Sequence, residues 1–191
     1  IQVLIISGNH DSPERVAFGA RLMEQSGVHL SPVYNGEIEP VVLADAYGET
    51  AFYLIPFLRP VHVRHFFPDE KIETYADAMR CVIGHLALDP ERRNIAVAHQ
   101  FVTGASVSGS EELSVGGLDE IPASVFDGFD YAALGHIHGM QQVAGKPVYY
   151  SGTPLKYSFS EADQKKYMLI LDMKEKGDIR ITKEELILPH E

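Results

Sequence analysis

Tyr131-Ala132-Ala133-Leu134-Gly135-His136-Ile137-His138-Gly139 is the stretch whose reading decides the fold. Residues 131–134 have the character of a buried strand. The two histidines would then emerge at its carboxyl end, where open α/β sheets gather their ligands. Glycines on both sides let the backbone turn sharply, and imidazoles two residues apart can share one metal ion or serve two neighbouring ones. Taken alone, the four residues 135–138 are equally compatible with a solvated loop, so the reading depends on whether other stretches repeat the arrangement.

Two others do. Residues 1–6, Ile-Gln-Val-Leu-Ile-Ile, are almost continuously apolar and β-branched, the pattern of a strand covered on both faces, and they run into Ser7-Gly8-Asn9-His10-Asp11. Residues 94–98 read as another buried strand, and this one ends on His99-Gln100. After the first strand, Ser12-Pro13-Glu14 supplies an N-cap, a proline at the first helical position and an acid in the first turn. Val16, Ala17, Ala20 and Met23 continue a helix that Gly27 stops. Strand, polar loop and helix amino terminus in succession are expected to seat an anion, with Asn9 and His10 at the lip.

The remaining chain fits an α/β domain. Residues 28–30, 40–43 and 52–55 are short and strand-like, separated by turns at Asn35-Gly36 and Tyr47-Gly48. His62 and His65, among Arg59 and Arg64, are expected in a solvated loop. Thr74 caps a packing helix carrying Tyr75, Met79, Val82 and Ile83, with His85 off its apolar stripe, and Pro90 limits its extent. Residues 101–120 show no period and are expected to border the site, and residues 122–126 to make one or two helical turns. Strands over 147–150, 167–172 and 179–188 close the domain.

Composition narrows the function classes. With 191 residues and 45% hydrophobic content, the chain can bury one sizeable core. It shows no apolar run near the roughly 20 residues of a bilayer span and no basic-then-apolar leader, and it has a single cysteine, Cys81. A cytoplasmic protein is expected, with Cys81 a packing residue. The net charge of −11 counts against a general polyanion-binding surface, although bound cations or a partner subunit can reverse the local sign.

The carboxyl edge of one sheet could therefore gather Asn9, His10, His99, His136 and His138. Nitrogen-rich ligation of that kind suits manganese, iron or zinc better than magnesium or calcium. These stretches resemble the motifs of the calcineurin-like metallophosphoesterases. G-N-H-[DE] stands at residues 8–11, a lone histidine after a strand at His99, and G-H-x-H at residues 135–138, in the family's order. Residues 55–60 (Ile-Pro-Phe-Leu-Arg-Pro), 132–134 and 151–159 extend the likeness to the SbcD-type nuclease subunits, over essentially the whole chain.

The resemblance implies an α/β, metallophosphoesterase-type αββα sandwich. It implies Asn9, His99 and His136 as ligands of one metal, His138 as a ligand of the other, and His10 as the catalytic histidine, with Asp11 orienting it. Two divalent ions, Mn2+ first among them, would activate a hydroxide for in-line attack on a phosphodiester. By the same resemblance the parent protein is the nuclease subunit of an ATP-dependent DNA double-strand exonuclease and single-strand endonuclease. Its expected partners are an SbcC-like ATPase subunit and DNA, and it would form a homodimer within a heterotetramer.

The family's D-x-H and G-D-x-x-D motifs are expected upstream of Ile1, and its DNA-capping domain beyond Glu191. Residues 1–191 are accordingly expected to be a single domain, the C-terminal portion of a phosphoesterase domain truncated at its N-terminus. Alone it would bind metal weakly, turn over little and expose a sheet edge that favours self-association. Two alternatives stay open: a metallophosphoesterase for nucleotides or phosphoproteins, and a non-catalytic partner-binding module.

Overall fold

The structure, a computed structural model, describes residues 1–107 and 119–187. The apolar opening forms β1 (Val3–Ile6). Two single-turn helices, α1 (Pro13–Ala17) and α2 (Ala20–Glu24), lead to β2 (Val28–Ser31), which returns parallel to β1 with Val3 opposite Val28. β3 (Val41–Asp45) and β4 (Gly48–Ile55) make a hairpin, turned where Gly48 takes a left-handed φ of +111°. After α3 (Pro60–Phe66) and α4 (Tyr75–Gly84) come β5 (Arg93–His99) and the two-residue strands β6 (Phe101–Val102) and β7 (Glu120–Ile121), which pair with each other. A short 3-10 helix at Ala123–Phe126 precedes β8 (Tyr131–Gly135), β9 (Gln141–Gln142) and β10 (Val148–Tyr150). The hairpin of β11 (Lys166–Met173) and β12 (Ile179–Leu186) follows.

The central sheet has the order β3-β4-β5-β8-β10-β9, with β4, β5, β8 and β10 parallel and an antiparallel strand at each edge. Those parallel strands read as continuous apolar runs because both faces are covered: Tyr53, Ile55, Ala96, Ala98, Ala132, Leu134 and Tyr150 lie in one core on one face, and Leu54, Ile95 and Tyr131 are buried on the other. α4 packs Ala78, Met79, Cys81 and Val82 into that core, and its amino end is closed reciprocally by Thr74 and Asp77. The chain is thus the α/β protein expected, with a central mixed sheet. Among the described residues, no helix is long and apolar enough to cross a membrane.

Several local expectations need correction. β1 is not covered on both faces: Val3 and Ile5 are 41% and 38% exposed. Among the described residues β1 pairs only with β2, so its apolar sequence is not matched by burial. The helix expected from Pro13 to Gly27 is broken in two, because Phe18 is extended and Gly19 adopts φ +81°. Each half has five residues, too short for the aligned dipole that an anion seat requires, and the Ser12 side chain makes no capping bond. His62 and His65 lie on α3 rather than in a loop, since Pro60 at the first helical position pre-sets the backbone for a turn of helix. Of the aperiodic stretch 101–120, residues 108–118 lie outside the described residues, and residues 101–102 form β6.

Candidate metal centre

Register brings the expected residues together. In the parallel ladder His99 of β5 stands opposite Gly135 of β8, so His136 follows directly beside it at the same carboxyl edge. β1 ends at this edge too, because Phe57 N, just past β4, donates to Ser7 O at 3.0 Å while Ser7 Oγ donates to Pro32 O at 2.6 Å. The segment after His99 is fixed from below by the buried Tyr150 hydroxyl, which donates to Gln100 O at 2.7 Å and accepts from Val102 N at 2.9 Å.

Asn9, His10, His99, His136 and His138 all line one cavity of about 220 Å3, with Ser151, Gly152 and Thr153 on its far wall. Asn9 Oδ1 and His99 Nε2 are 2.9 Å apart. Two ligands at right angles on one first-row ion, with bonds of roughly 2.0–2.1 Å, would be separated by about 3 Å. The contact is a hydrogen bond here, at a separation that two neighbouring ligands of one ion would also adopt, and the donor set fits a transition-metal ion. The His99 and His136 rings meet edge to face at 5.3 Å.

The His99 imidazole is pushed down to a pKa of about 4, first by burial and then by the neighbouring His136, with His10 and His138 adding to the shift and Asp11 opposing it. The ring is neutral near pH 7, which is the ligating form. Its place is cut to shape by glycines. A Cβ on Gly8 would lie 2.7 Å from His99 Cε1, and one on Gly135 would lie 2.8 Å from its Nδ1. His136 has φ +112°, a left-handed backbone uncommon in a non-glycine residue and met most often where a site dictates the geometry.

His10 is exposed at the cavity's lip. Asp11 is occupied otherwise than expected: its Oδ2 accepts from Gly8 N at 2.6 Å and closes the loop on itself. A second groove, of about 650 Å3, opens beside Asn9 and Asp11 and carries Phe57, Arg59, His62 and His65 from β4's exit and α3. The two α3 histidines thus face the site's surroundings, a placement the sequence pattern did not favour.

Sequence reasoning passed over Glu161, although it lies just beyond residues 151–159. It is completely buried, and its Oε1 is 2.8 Å from His138 Nδ1. Sequence reasoning also does not single out Glu70, which with Cys81 and His85 places ligand atoms within 4.8 Å of one another, the only such trio of His, Cys, Asp or Glu among the described residues. That trio caps α4: His85 Nδ1 donates to Cys81 O at 2.8 Å and Nε2 lies 3.4 Å from Glu70. Burial and the adjacent Glu70 push the Cys81 thiol up to about 12, so it stays protonated and is a poor ligand.

No family model matches the chain. Among curated proteins it is 34% identical over 177 residues to the SbcD component of the SbcCD nuclease of Staphylococcus saprophyticus subsp. saprophyticus, an alignment covering 91% of this chain and 46% of that protein. The chain spans about half the length of the curated relative it matches. Identity at that level over nine-tenths of its residues makes the chain similar to an SbcD subunit, and its central mixed α/β sheet is consistent with a metallophosphoesterase-like fold.

Proposed function

We propose that the chain forms much of the active face of a metal-dependent phosphodiesterase that cuts DNA as a nuclease subunit. The observation that carries this reading is the ligand-like spacing of Asn9 Oδ1 and His99 Nε2 inside the cavity that His10, His136 and His138 also line. Asn9, His99 and His136 would hold one divalent ion and His138 another, a nitrogen-rich set that suits a transition-metal ion, with manganese the one the family resemblance implies. When bound, the ions supply Lewis-acid activation of the phosphodiester and of water. His10, exposed at the lip, donates a proton to the leaving oxygen, work for which an imidazole is suited near neutral pH. The groove with Phe57, Arg59, His62 and His65 seats the neighbouring strand, with Arg59 against phosphate and Phe57 offering a face to a base.

The relative's name supports a nuclease subunit with an SbcC-like partner, and the motif resemblance supports the rest of the assignment. An SbcC-like ATPase is the partner, making the activity ATP-dependent, with exonuclease action on duplex ends and endonuclease action on single strands, by a homodimer within a heterotetramer in the cytoplasm. The ATPase would also supply the basic surface that a chain of net charge −11 lacks. Among the described residues, those lining the cavity include no carboxylate to offset the charge of two divalent ions. The 191 residues by themselves are therefore expected to hold metal weakly and turn over little.

The experiment is a nuclease assay on the full-length protein with Mn2+, with and without the partner ATPase, comparing linear duplex DNA with small phosphodiesters. His10→Ala should lower turnover by about 10²–10⁴-fold while leaving metal uptake unchanged. Undiminished turnover in that variant would refute the role of His10. Faster hydrolysis of nucleotides or phosphoproteins than of DNA would replace the substrate, an outcome the acidic balance gives some room for.

A further inference from the structure

Glu161 has no solvent exposure, and Lys166 beside it keeps only 3%. Charged groups at that depth are strongly disfavoured unless matched at close range. Lys166 Nζ stands 2.6 Å from Glu161 Oε2 and also donates to Thr153 Oγ1 at 3.0 Å, Gln164 Oε1 at 3.2 Å and His138 O at 3.2 Å. The other carboxylate oxygen, Oε1, is the one 2.8 Å from His138 Nδ1. A buried ion pair contributes little net stability relative to apolar side chains of the same volume, so stability is a poor account of this arrangement. Its two ends converge on one residue: the carboxylate grips the His138 ring, and the ammonium grips the His138 carbonyl, which Thr153 N also reaches at 3.1 Å.

We propose that Glu161 is a positioning residue that makes His138 competent as a metal ligand, with Lys166 as the counter-charge that pairs with its carboxylate. The inference rests on the metal-dependent reading above and adds to it the group that sets the state of one ligand. An ionised carboxylate can only accept, so His138 Nδ1 carries the proton. In the neutral imidazole this leaves the lone pair on Nε2, the form a metal requires. The same contact fixes the ring's rotation, as carboxylate–histidine pairs do behind metal ions. Glu161 is itself held by the 3-10 turn Phe159–Glu161 and by Tyr157 N, 3.3 Å from its Oε2.

The test uses the full-length protein in two measurements: the His138 tautomer by 15N NMR of metal-free samples, and Mn2+ affinity by calorimetry. Wild type is compared with Glu161→Gln and with Glu161→Gln/Lys166→Met, the second variant removing the ammonium that the first would leave buried without a counter-charge. Wild-type His138 should be the Nδ1–H tautomer. In the variants the tautomers should mix, because a glutamine amide can donate as well as accept, and Mn2+ affinity should fall by about 10–100-fold. An Nε2–H tautomer in the wild type, or a folded variant whose affinity stays within about twofold of wild type, overturns the proposal. Absence of Mn2+ uptake by the wild type would defeat the metal reading instead, and the tautomer would still decide what Glu161 does.

Discussion

Gly8→Ala puts the geometry of the centre to its most direct trial. Gly8 has no left-handed φ, so alanine adds no backbone strain there and the whole effect comes from one methyl group. That methyl would sit 2.7 Å from His99 Cε1 and 3.0 Å from both ring nitrogens. Restoring ordinary contact requires the ring to move by about 0.7–1 Å. Its escape is obstructed by Gly135 on β8, by Phe57 edge-on at 6.1 Å and by His136 edge-on at 5.3 Å. Metal–ligand distances tolerate deviations of roughly 0.2 Å, so the displacement is several times what ligation allows. Mn2+ affinity should fall by about 10–100-fold, the range seen when a ligand's support is removed. Overpacking should cost about 1–3 kcal/mol, or roughly 2–4 °C of Tm for each kcal/mol. Calorimetric titration and thermal melts of the full-length protein read both. Gly139→Ala is the control, because its Cβ would meet nothing closer than Gln164 Nε2 at 4.0 Å, and it should leave affinity within about twofold of wild type. A folded Gly8→Ala protein binding Mn2+ as tightly as wild type would show that His99 is not a ligand at this position.

Two further outcomes follow from groups the fold has placed. The pKa of His99 is about 4 when folded and takes its ordinary value of roughly 6.5 when unfolded, so between those values only the unfolded chain takes up the proton. Stability of the metal-free protein should be level above about pH 6.5 and fall by up to roughly 3 kcal/mol as the pH drops toward 4. Urea midpoints at several pH values would read this, and a His99→Gln variant with the same pH slope as wild type would contradict it. Arg93 is 3% exposed and binds both oxygens of Asp45 at 2.7 and 3.1 Å, together with Gly48 O at 2.7 Å and Lys174 O at 2.9 Å, tying the β3–β4 turn to the β11–β12 hairpin. Arg93→Met should destabilise by about 3 kcal/mol, and a loss under about 1 kcal/mol would mean the neighbouring carbonyls find other donors.

The strands that carry the site were legible from local pattern because burial on both faces demands uninterrupted apolar residues. β5 and β8 appear in the sequence at nearly their final limits for that reason, and β4 in its carboxyl half. So were Asn9, His10, His99, His136 and His138, whose common position just after a strand follows from the rule that parallel strands present their carboxyl ends on one edge. The α1–α2 break was not legible, because helical spacing continues through Phe18 and Gly19 and only the actual backbone angles show the turn. Asp11 and Glu161 show the same limit from two sides. Both are ordinary acidic residues in turn-rich sequence, yet one closes its own loop on the Gly8 amide and the other is carried under His138, 23 residues away. Composition and periodicity thus determined the fold class and the edge where the chemistry collects, since both depend on which side chains leave water. Which carboxylate supports which imidazole, and that His99 must stand between two glycines, were decided only by tertiary packing, because those contacts join residues whose sequence separation carries no local signal.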